Sequence, residues 1–106
     1  MANNFSDATV AISNNSLTDI FTASNKSLII AGTISNTGSV SVNVTLKKYD
    51  NSATTGFDIL KTLPLPVGSS LEIPKVVLQT SDKIQAQSDN SSGLITVALQ
   101  LLTDVA

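Results

Sequence analysis

The chain has 106 residues, a formal net charge of −2, and neither histidine nor cysteine. Without imidazole or thiolate groups it lacks the usual base-activated nucleophile and the preferred ligands of zinc and copper. Charge is sparse, so the basic surface typical of nucleic-acid-binding proteins is missing as well. We therefore expect one domain of ordinary size that is not an enzyme, has no catalytic residue and binds no metal or cofactor.

Small polar residues dominate the beginning of the chain and predict a flexible N-terminal arm at residues 1–8, followed by a β-sandwich domain at 9–106. Residues 9–13 and 17–23 are predicted to form the first two strands. The arm lacks a basic stretch followed by an apolar run, so it is unlike a secretory signal. The longest apolar-leaning run, 94–102, is too short to span a membrane. We expect a soluble protein that is made in the cytosol and does not contact membranes.

Residues 28–35 carry apolar side chains on both faces, which favours a strand in the centre of the fold. Even-numbered side chains such as Leu28 should share one face. Gly32 within this strand indicates a bulge or a close approach of another backbone. A turn should follow, with Asn36 and Gly38 as the residues able to adopt positive φ.

The strongest strand signal lies at 40–47, where apolar and polar side chains alternate without a break. This pattern predicts an antiparallel strand with one buried face and one solvated face. The buried face should carry four apolar side chains: Val40, Val42, Val44 and Leu46. Val44 should therefore be buried, and Asn43 should lie on the exposed face, where replacement by Asp should have little effect.

A polar stretch at 50–56 predicts an exposed loop, and residues 57–63 predict the next strand, with Leu60 and Leu63 on opposite faces. Prolines make 64–70 a stiff turn at a sheet edge, because proline cannot donate to a central ladder.

Four short patterns complete the strands, at 71–73, 76–78, 83–88 and 95–101. Residues 98–106 could also form a short helix, although the Ile-Thr-Val sequence at the start favours a strand. Turn signals recur along the whole chain, as in sandwiches with many short strands. The residues predict an all-β fold.

Two groups of polar side chains are candidates for a calcium site. Asp50, Asn51 and Asp58 flank the longest loop, and Asp89 and Asn90 lie in another. No EF-hand spacing is present, and such residues more often accept hydrogen bonds from their own turns.

Two further features bear on binding. Lys47 and Lys48 form the only basic pair, which we interpret as a solvated strand end. Tyr49 is the only polar-tipped aromatic residue and ends a strand where it should be half buried. Glycan-binding sandwiches usually present exposed aromatic platforms, so this composition argues against a lectin.

From residue 17 onward the chain resembles small virion proteins of tailed bacteriophages, including phages of cyanobacteria and other marine bacteria. An apolar strand ends in an N-T-G turn at 36–38, and the Val-rich strand follows. An L-x-x-x-P-x-P-x-G-S-S-L segment at 60–71 then leads to a V-V-L strand, a turn with Asp82 and an I-x-A pattern. Such proteins often have Gly immediately before the turn Asp, where this chain has Ser81.

The resemblance implies an immunoglobulin-like β-sandwich of about seven to nine strands that is built into a virus particle. The implied protein is a capsid decoration or cement protein, bound to the major capsid protein or other virion proteins, and a homo-oligomer with a trimer as one candidate state. It would be located in the virion after synthesis in the host cytoplasm. The resemblance carries over no catalytic or metal residue, and it does not indicate which residues bind the partner. A tail, neck or fibre component and a glycan-binding adhesion module are the alternatives.

Overall fold

The computed structural model describes residues 3–105. This part of the chain forms nine β-strands and no helix. The strands are β1 (Asn4–Ile12), β2 (Thr18–Thr22), β3 (Ser27–Asn36), β4 (Val42–Asp50), β5 (Thr55–Leu65), β6 (Ser70–Glu72), β7 (Val76–Leu78), β8 (Lys83–Ser88) and β9 (Ile95–Thr103). All strand pairs are antiparallel, and the predicted all-β sandwich is confirmed.

The strands form two sheets. One has the order β1-β9-β3-β6, with β7 also paired to β3, and the other has the order β2-β8-β4-β5. Because β6 and β7 lie along successive stretches of β3, they act as one interrupted strand. The first strand therefore pairs with the last, and the remaining strands pair in the same nested way: β1 with β9, β2 with β8, β3 with β6 and β7, and β4 with β5. A long hairpin closed at residues 51–54 and rolled into two sheets gives this order, which is that of a jelly roll.

The immunoglobulin-like part of the expectation requires correction at the level of strand order. In an immunoglobulin domain the first two strands share a sheet. Here residues 13–17 carry the chain from the five-stranded to the four-stranded sheet, so β1 and β2 lie in different sheets. Alternation along a strand does not specify which strand lies beside it, so the sequence pattern is compatible with both topologies.

The core lies between the sheets and is aliphatic. Val44 and Leu46 on β4 are fully buried, as predicted, and belong to one core cluster with aliphatic side chains of β3, β8 and β9. Each such side chain contributes about 1.5–3 kcal/mol when it is removed from water. The largest fully buried apolar side chains are Ile29, Ile34, Leu46, Leu65, Leu78, Ile84, Ile95, Leu99, Leu101, Val44 and Val97.

The strand predicted at 40–47 begins later than expected, at Val42. Val40 is 48% exposed because the chain has not yet joined the sheet at that point. Asn36 holds this turn: its side-chain amide donates to the Val40 carbonyl at 2.8 Å and to the Leu65 carbonyl at 3.0 Å. The glycine at position 38 is explained by packing, since a Cβ there would lie 2.7 Å from the Leu94 side chain.

Neither Asn36 nor Gly38 adopts the positive φ that the sequence suggested. Gly68 and Gly93 are the glycines with positive φ among residues 3–105. At Gly93 the constraint is twofold, because φ is +73° and a Cβ would lie only 2.1 Å from the Ile12 carbonyl oxygen.

Residues 4–8, predicted to belong to a flexible arm, form the first half of β1 and pair with β9 as far as Thr103. The first two residues of that arm lie outside the described residues. The sequence pattern of residues 4–8 concealed the strand because three of these five side chains are exposed and polar. Backbone hydrogen bonding to β9, rather than side-chain burial, therefore defines this part of β1.

Register shifts in two strands change which face of the sheet a predicted side chain occupies. In β3 the register shifts between Ile29 and Ala31, so Leu28 lies on the opposite face to that of Ile34. In β5 two register shifts place Leu60 and Leu63 on the same inward face. A bulge adds a residue that alternation along the sequence does not anticipate.

Other strand predictions are confirmed. Gly32 makes the predicted close approach, since a Cβ would lie 3.0 Å from the Ala98 carbonyl oxygen. Pro64 lies in the edge strand β5, as proline requires. The C-terminal segment forms the strand β9, and the helix alternative is not observed.

Candidate assembly surface

An apolar row crosses the outer face of the five-stranded sheet. We define the apolar row as Phe5 on β1, Leu102 on β9, Leu28 on β3 and Val77 on β7. Their Cα positions are direct partners in the sheet register: Phe5 with Leu102, Leu102 with Leu28, and Leu28 with Val77. Phe5 is 83% exposed and Val77 is 47% exposed, so the two ends of the row face solvent.

Sheet register, and not sequence proximity, creates this row. Successive side chains of a strand point to opposite faces, so partners across a ladder share a face. Ile29 and Leu101 are partners in the core, and their neighbours Leu28 and Leu102 therefore face outward together. Sequence reasoning missed the row because it assigned Phe5 to an arm and placed Leu28 on the same face as Ile34. The alternation of Ala8, Val10 and Ile12 is the signal that could have placed Phe5 on the outer face.

A shallow depression of about 400 Å³ lies beside the apolar row on the same face. It forms where the edge of the sheet is interrupted between β6 and β7, because Pro74 cannot continue the ladder. The amide of Ile73 donates to the Gly32 carbonyl at 2.8 Å and holds the interruption against β3. Glu72 and Lys75 supply charged groups at its rim.

The end of the molecule opposite to the apolar row carries four loops, at residues 13–17, 37–41, 66–69 and 89–94. We call this end the loop end. Hydrogen bonds tie these loops to each other and to the strand ends. Thr37 donates its amide to the Leu94 carbonyl at 2.9 Å, and Asn36 donates its amide to the Ser69 carbonyl at 3.0 Å. Three aliphatic side chains are exposed there, one on each of three loops: Leu17, Val40 and Val67.

The candidate calcium ligands make turn contacts. Asp50 accepts hydrogen bonds from the amide and hydroxyl of Ser52 at 3.0 and 2.8 Å, and Asn90 accepts one from the Ser92 amide at 2.8 Å. These turn interactions were the interpretation favoured by the sequence. Within residues 3–105, no group of three or more acidic side chains is arranged to hold a metal ion.

Asp58 and Asp89 have other partners, far from each other. Asp58 lies 3.7 Å from the Lys47 ammonium group. Asp89 accepts two hydrogen bonds from Asn43, one from the amide of its backbone and one from its side chain, each 2.9 Å long. The structure therefore does not bring the sequence-predicted ligands together.

The basic pair also separates. Lys47 reaches Asp58, whereas Lys48 lies 3.9 Å from the buried carboxylate of Asp82. That carboxylate also accepts hydrogen bonds from the backbone amides of Asn51 and Gln79, both at 3.0 Å. Asp82 thus joins the β4–β5 turn to the β7–β8 turn, which is a structural function.

Tyr49 is half-buried, as predicted, and the Lys83 ammonium group lies 5.8 Å from the centre of its ring. Its ring face is therefore in contact with a cation of its own chain. No helix within residues 3–105 is long and apolar enough to cross a membrane.

Two exposed carboxyl groups have lowered pKa values. The side-chain amide of Gln85, 2.8 Å away, lowers the pKa of Asp19 most, and Lys83 at 3.3 Å lowers it further. The hydroxyl of Ser52 lowers the pKa of Asp50 most, and the Ala53 amide adds to this. In both cases a hydrogen bond stabilises the charged form.

Comparison with known proteins supports the fold assignment. A protein of the Bacillus endospore appendages, described as a family of disulfide-linked pili, is similar with a TM-score of 0.59 and 12% identity over 100% of this chain and 93% of its own. The PRD1 vertex protein is similar with a TM-score of 0.55 and 12% identity over 93% and 95% of the two chains. A protein of the IBDV viral particle has a TM-score of 0.56 and 14% identity over 94% of this chain but 30% of its own.

At these identities the likeness is one of fold, and it places the chain among double-sheet sandwiches that also occur in viral particles and pili. No protein-family model matches the sequence, and no curated protein sequence matches it significantly.

Proposed function

We propose that this chain is a non-catalytic structural protein of a tailed-phage virion, and that it decorates the outer capsid shell. The apolar row carries this proposal. In this role, the protein binds a neighbouring virion protein through the outer face of its five-stranded sheet. No reaction is involved, and the protein acts by adding contacts to the particle.

The composition of this face suits a protein partner. An exposed aromatic residue continuous with aliphatic ones, surrounded by a polar rim, is the usual composition of a protein–protein interface. Phe5 and Val77 provide exposed apolar surface at the two ends of the row. Polar side chains such as Gln100 and Glu72 lie on the same face and would form the rim.

The virion part of the proposal rests on analogy. The sequence order from residue 17 onward resembles tailed-phage virion proteins, and the fold is shared with a viral vertex protein and a viral particle protein. Fold alone does not assign function, so the apolar row supports the binding of a protein partner and the resemblance supports the virion as its place. The similar appendage protein is described as disulfide-linked, and this chain, which has no cysteine, cannot form such a link.

Binding to phage capsids tests the proposal. Purified protein should co-sediment with expanded capsids of its phage, and the double variant Phe5→Ser with Val77→Ser should bind at least about tenfold more weakly, as expected for exposed apolar anchors. Phe57→Ser is the matched control, because Phe57 is 52% exposed but lies on β5, outside the row. Equal binding by the double variant and the control would exclude the apolar row as the binding surface.

A tail, neck or fibre location is the alternative within the virion. Quantitative mass spectrometry of purified virions distinguishes the two locations, since hundreds of copies per particle imply the shell and a handful imply the tail. Failure to find the protein in virions at all would overturn the virion proposal.

A further inference from the structure

Edge strands are the places where a sheet can pair with another chain, because one side of their backbone is unpaired. The two sheets have four edges, formed by β1, by β6 with β7, by β2 and by β5. Proteins protect such edges with short strands, prolines, lysines and bulges. The four edges of this protein differ sharply in these protective features.

Three of the four edges are protected. The edge formed by β6 and β7 consists of two three-residue strands separated by Ile73, Pro74 and Lys75. Strand β2 has five residues and a register shift after Asp19. Strand β5 contains Pro64 and two register shifts.

Strand β1 has none of these features. It is nine residues long, pairs with β9 without a register shift, and contains no proline, glycine or lysine. Its single charge is Asp7, and its exposed side chains are mostly small. Within residues 3–105, β9 is the only strand that pairs with it. This is the long, regular and nearly uncharged kind of edge that β-pairing requires.

We propose that two copies of this chain pair antiparallel through β1 about a twofold axis, which joins their five-stranded sheets into one continuous sheet. A twofold axis perpendicular to the sheet pairs residues whose side chains lie on the same face. The axis therefore lies midway between the two copies of one residue. Pairing over the full length from Asn4 to Ile12 places that axis at Ala8.

The charges of β1 favour the same register. With the axis at Ala8, Asp7 of each copy lies opposite Thr9 of the other, and Phe5 lies opposite Ala11. Moving the axis to Asp7 would set the two carboxylates directly against each other, which is unfavourable. The pairing occupies the free β1 edge of each copy. The assembly is therefore complete at two copies and does not continue into a fibre. It does not depend on which particle the protein belongs to.

A charge introduced at position 9 tests both the pairing and its register. Thr9 is exposed on the outer face, so substitution there should leave the core unchanged. Thr9→Asp faces Asp7 twice in the dimer and should raise the dimer dissociation constant between about twofold and thirtyfold. Thr9→Lys should lower it by a similar factor, since opposite charges across a ladder attract. The effect of Thr9→Lys should decrease at high salt.

Thr33→Asp and Thr33→Lys are the matched controls, because Thr33 is exposed on the outer face of the central strand β3 and away from the β1 edge. Sedimentation velocity over a concentration series measures the dissociation constant, and circular dichroism verifies the fold. A wild-type protein that stays monomeric at all concentrations, or forms species larger than a dimer, would overturn the proposal. Equal effects of Asp and Lys at position 9, or equal effects at positions 9 and 33, would also overturn it.

Discussion

Two buried polar side chains, Asn36 and Asp82, stabilise turns of this protein. Asn36 donates to two carbonyls and accepts from the Gly38 amide at 2.9 Å, and Asp82 accepts from two amides. Every buried side-chain polar atom of the described residues has a hydrogen-bond partner. A buried polar group that lost its partner would cost about 1–3 kcal/mol, so these residues are constrained by structure.

Asn43 shows how a partner across the sheet changes an expectation from the sequence. Substitution by Asp was expected to be nearly silent, but the Asn43 amide donates to the Asp89 carboxylate at 2.9 Å. We expect Asn43→Asp to destabilise the fold by about 1 kcal/mol at neutral pH, because it replaces this donor with a second negative charge. Urea unfolding measures the loss.

The reciprocal substitution is the control for that result. Adding Asp89→Asn to Asn43→Asp should recover much of the lost stability, because an amide again faces a carboxylate. The coupling free energy from the four proteins of this double-mutant cycle isolates the pair. Independent, additive effects of the two substitutions would show that the contact does not contribute.

Ser81 is a strained position that glycine should relieve. Its φ is +74°, a conformation that costs a side-chain-bearing residue about 1–2 kcal/mol. Glycine loses more chain entropy on folding, which offsets part of this. Ser81→Gly should therefore stabilise the protein by about 0.5–1 kcal/mol and raise its Tm by a few degrees.

Ser81→Ala is the control, since alanine retains the Cβ and should give no such gain. Thermal unfolding followed by circular dichroism compares the three proteins. A Tm for Ser81→Gly at or below that of the wild type would show that φ at this position is not a significant source of strain.

At the scale of elements, side-chain contacts between neighbouring strands help to hold an edge strand in place, and the alternation of residues along each strand does not reveal these contacts. Asp19 on β2 accepts hydrogen bonds from Gln85 and Lys83 on β8, so it links an edge strand to its neighbour. This contact lies beside the register shift in β2. The short strand β2 is thus held by side chains as well as by its ladder.

The pKa of Asp19 gives this contact a pH dependence. Its carboxyl pKa is lowered below the ordinary value of 3.8, chiefly by Gln85, so the folded state binds the proton less tightly than the unfolded state. The resulting stability is present above that value and is lost as the pH falls through the lower folded pKa. The side chain is 48% exposed, so the contribution is within about 0.2–1 kcal/mol.

Asp19→Asn should therefore be less stable than the wild type at pH 7, and this stability difference should be smaller at pH 2, because protonation of Asp19 removes the charge that its partners stabilise. Denaturant unfolding at the two pH values measures this difference. Asp7→Asn on the outer face of β1 is a control for the loss of one negative charge. A stability difference for Asp19→Asn that is unchanged between the two pH values would contradict the proposed linkage.

At the scale of the whole molecule, the two ends have different surfaces. The loop end is nearly free of charge, with Asp89 as its only charged residue, and it exposes three aliphatic side chains. The apolar row lies toward the other end, on the outer face of one sheet. In the proposed dimer two copies of the row would lie on the same face of one continuous sheet. Such a dimer would offer two equivalent contacts to a repeating surface such as a capsid, which raises its avidity.

The sequence by itself determined the strands and their buried faces wherever alternation is regular. Val44, Leu46 and the inward residues of β8 and β9 follow directly from the period of two, because hydrophobic burial acts on each strand locally. Composition likewise accounts for the absence of histidine and cysteine chemistry. The expectation for β1 failed because its stability comes from a ladder with the far end of the chain, which leaves few apolar side chains as a signal.

Only the tertiary structure decided which strands are neighbours. The jelly-roll order, the contact of Asn43 with Asp89 and the apolar row all join residues that are distant in sequence. Bulges in β3 and β5 reverse faces in a way that alternation does not encode. The candidate assembly surface was therefore not predictable from the sequence, since it depends on the register of four strands at once.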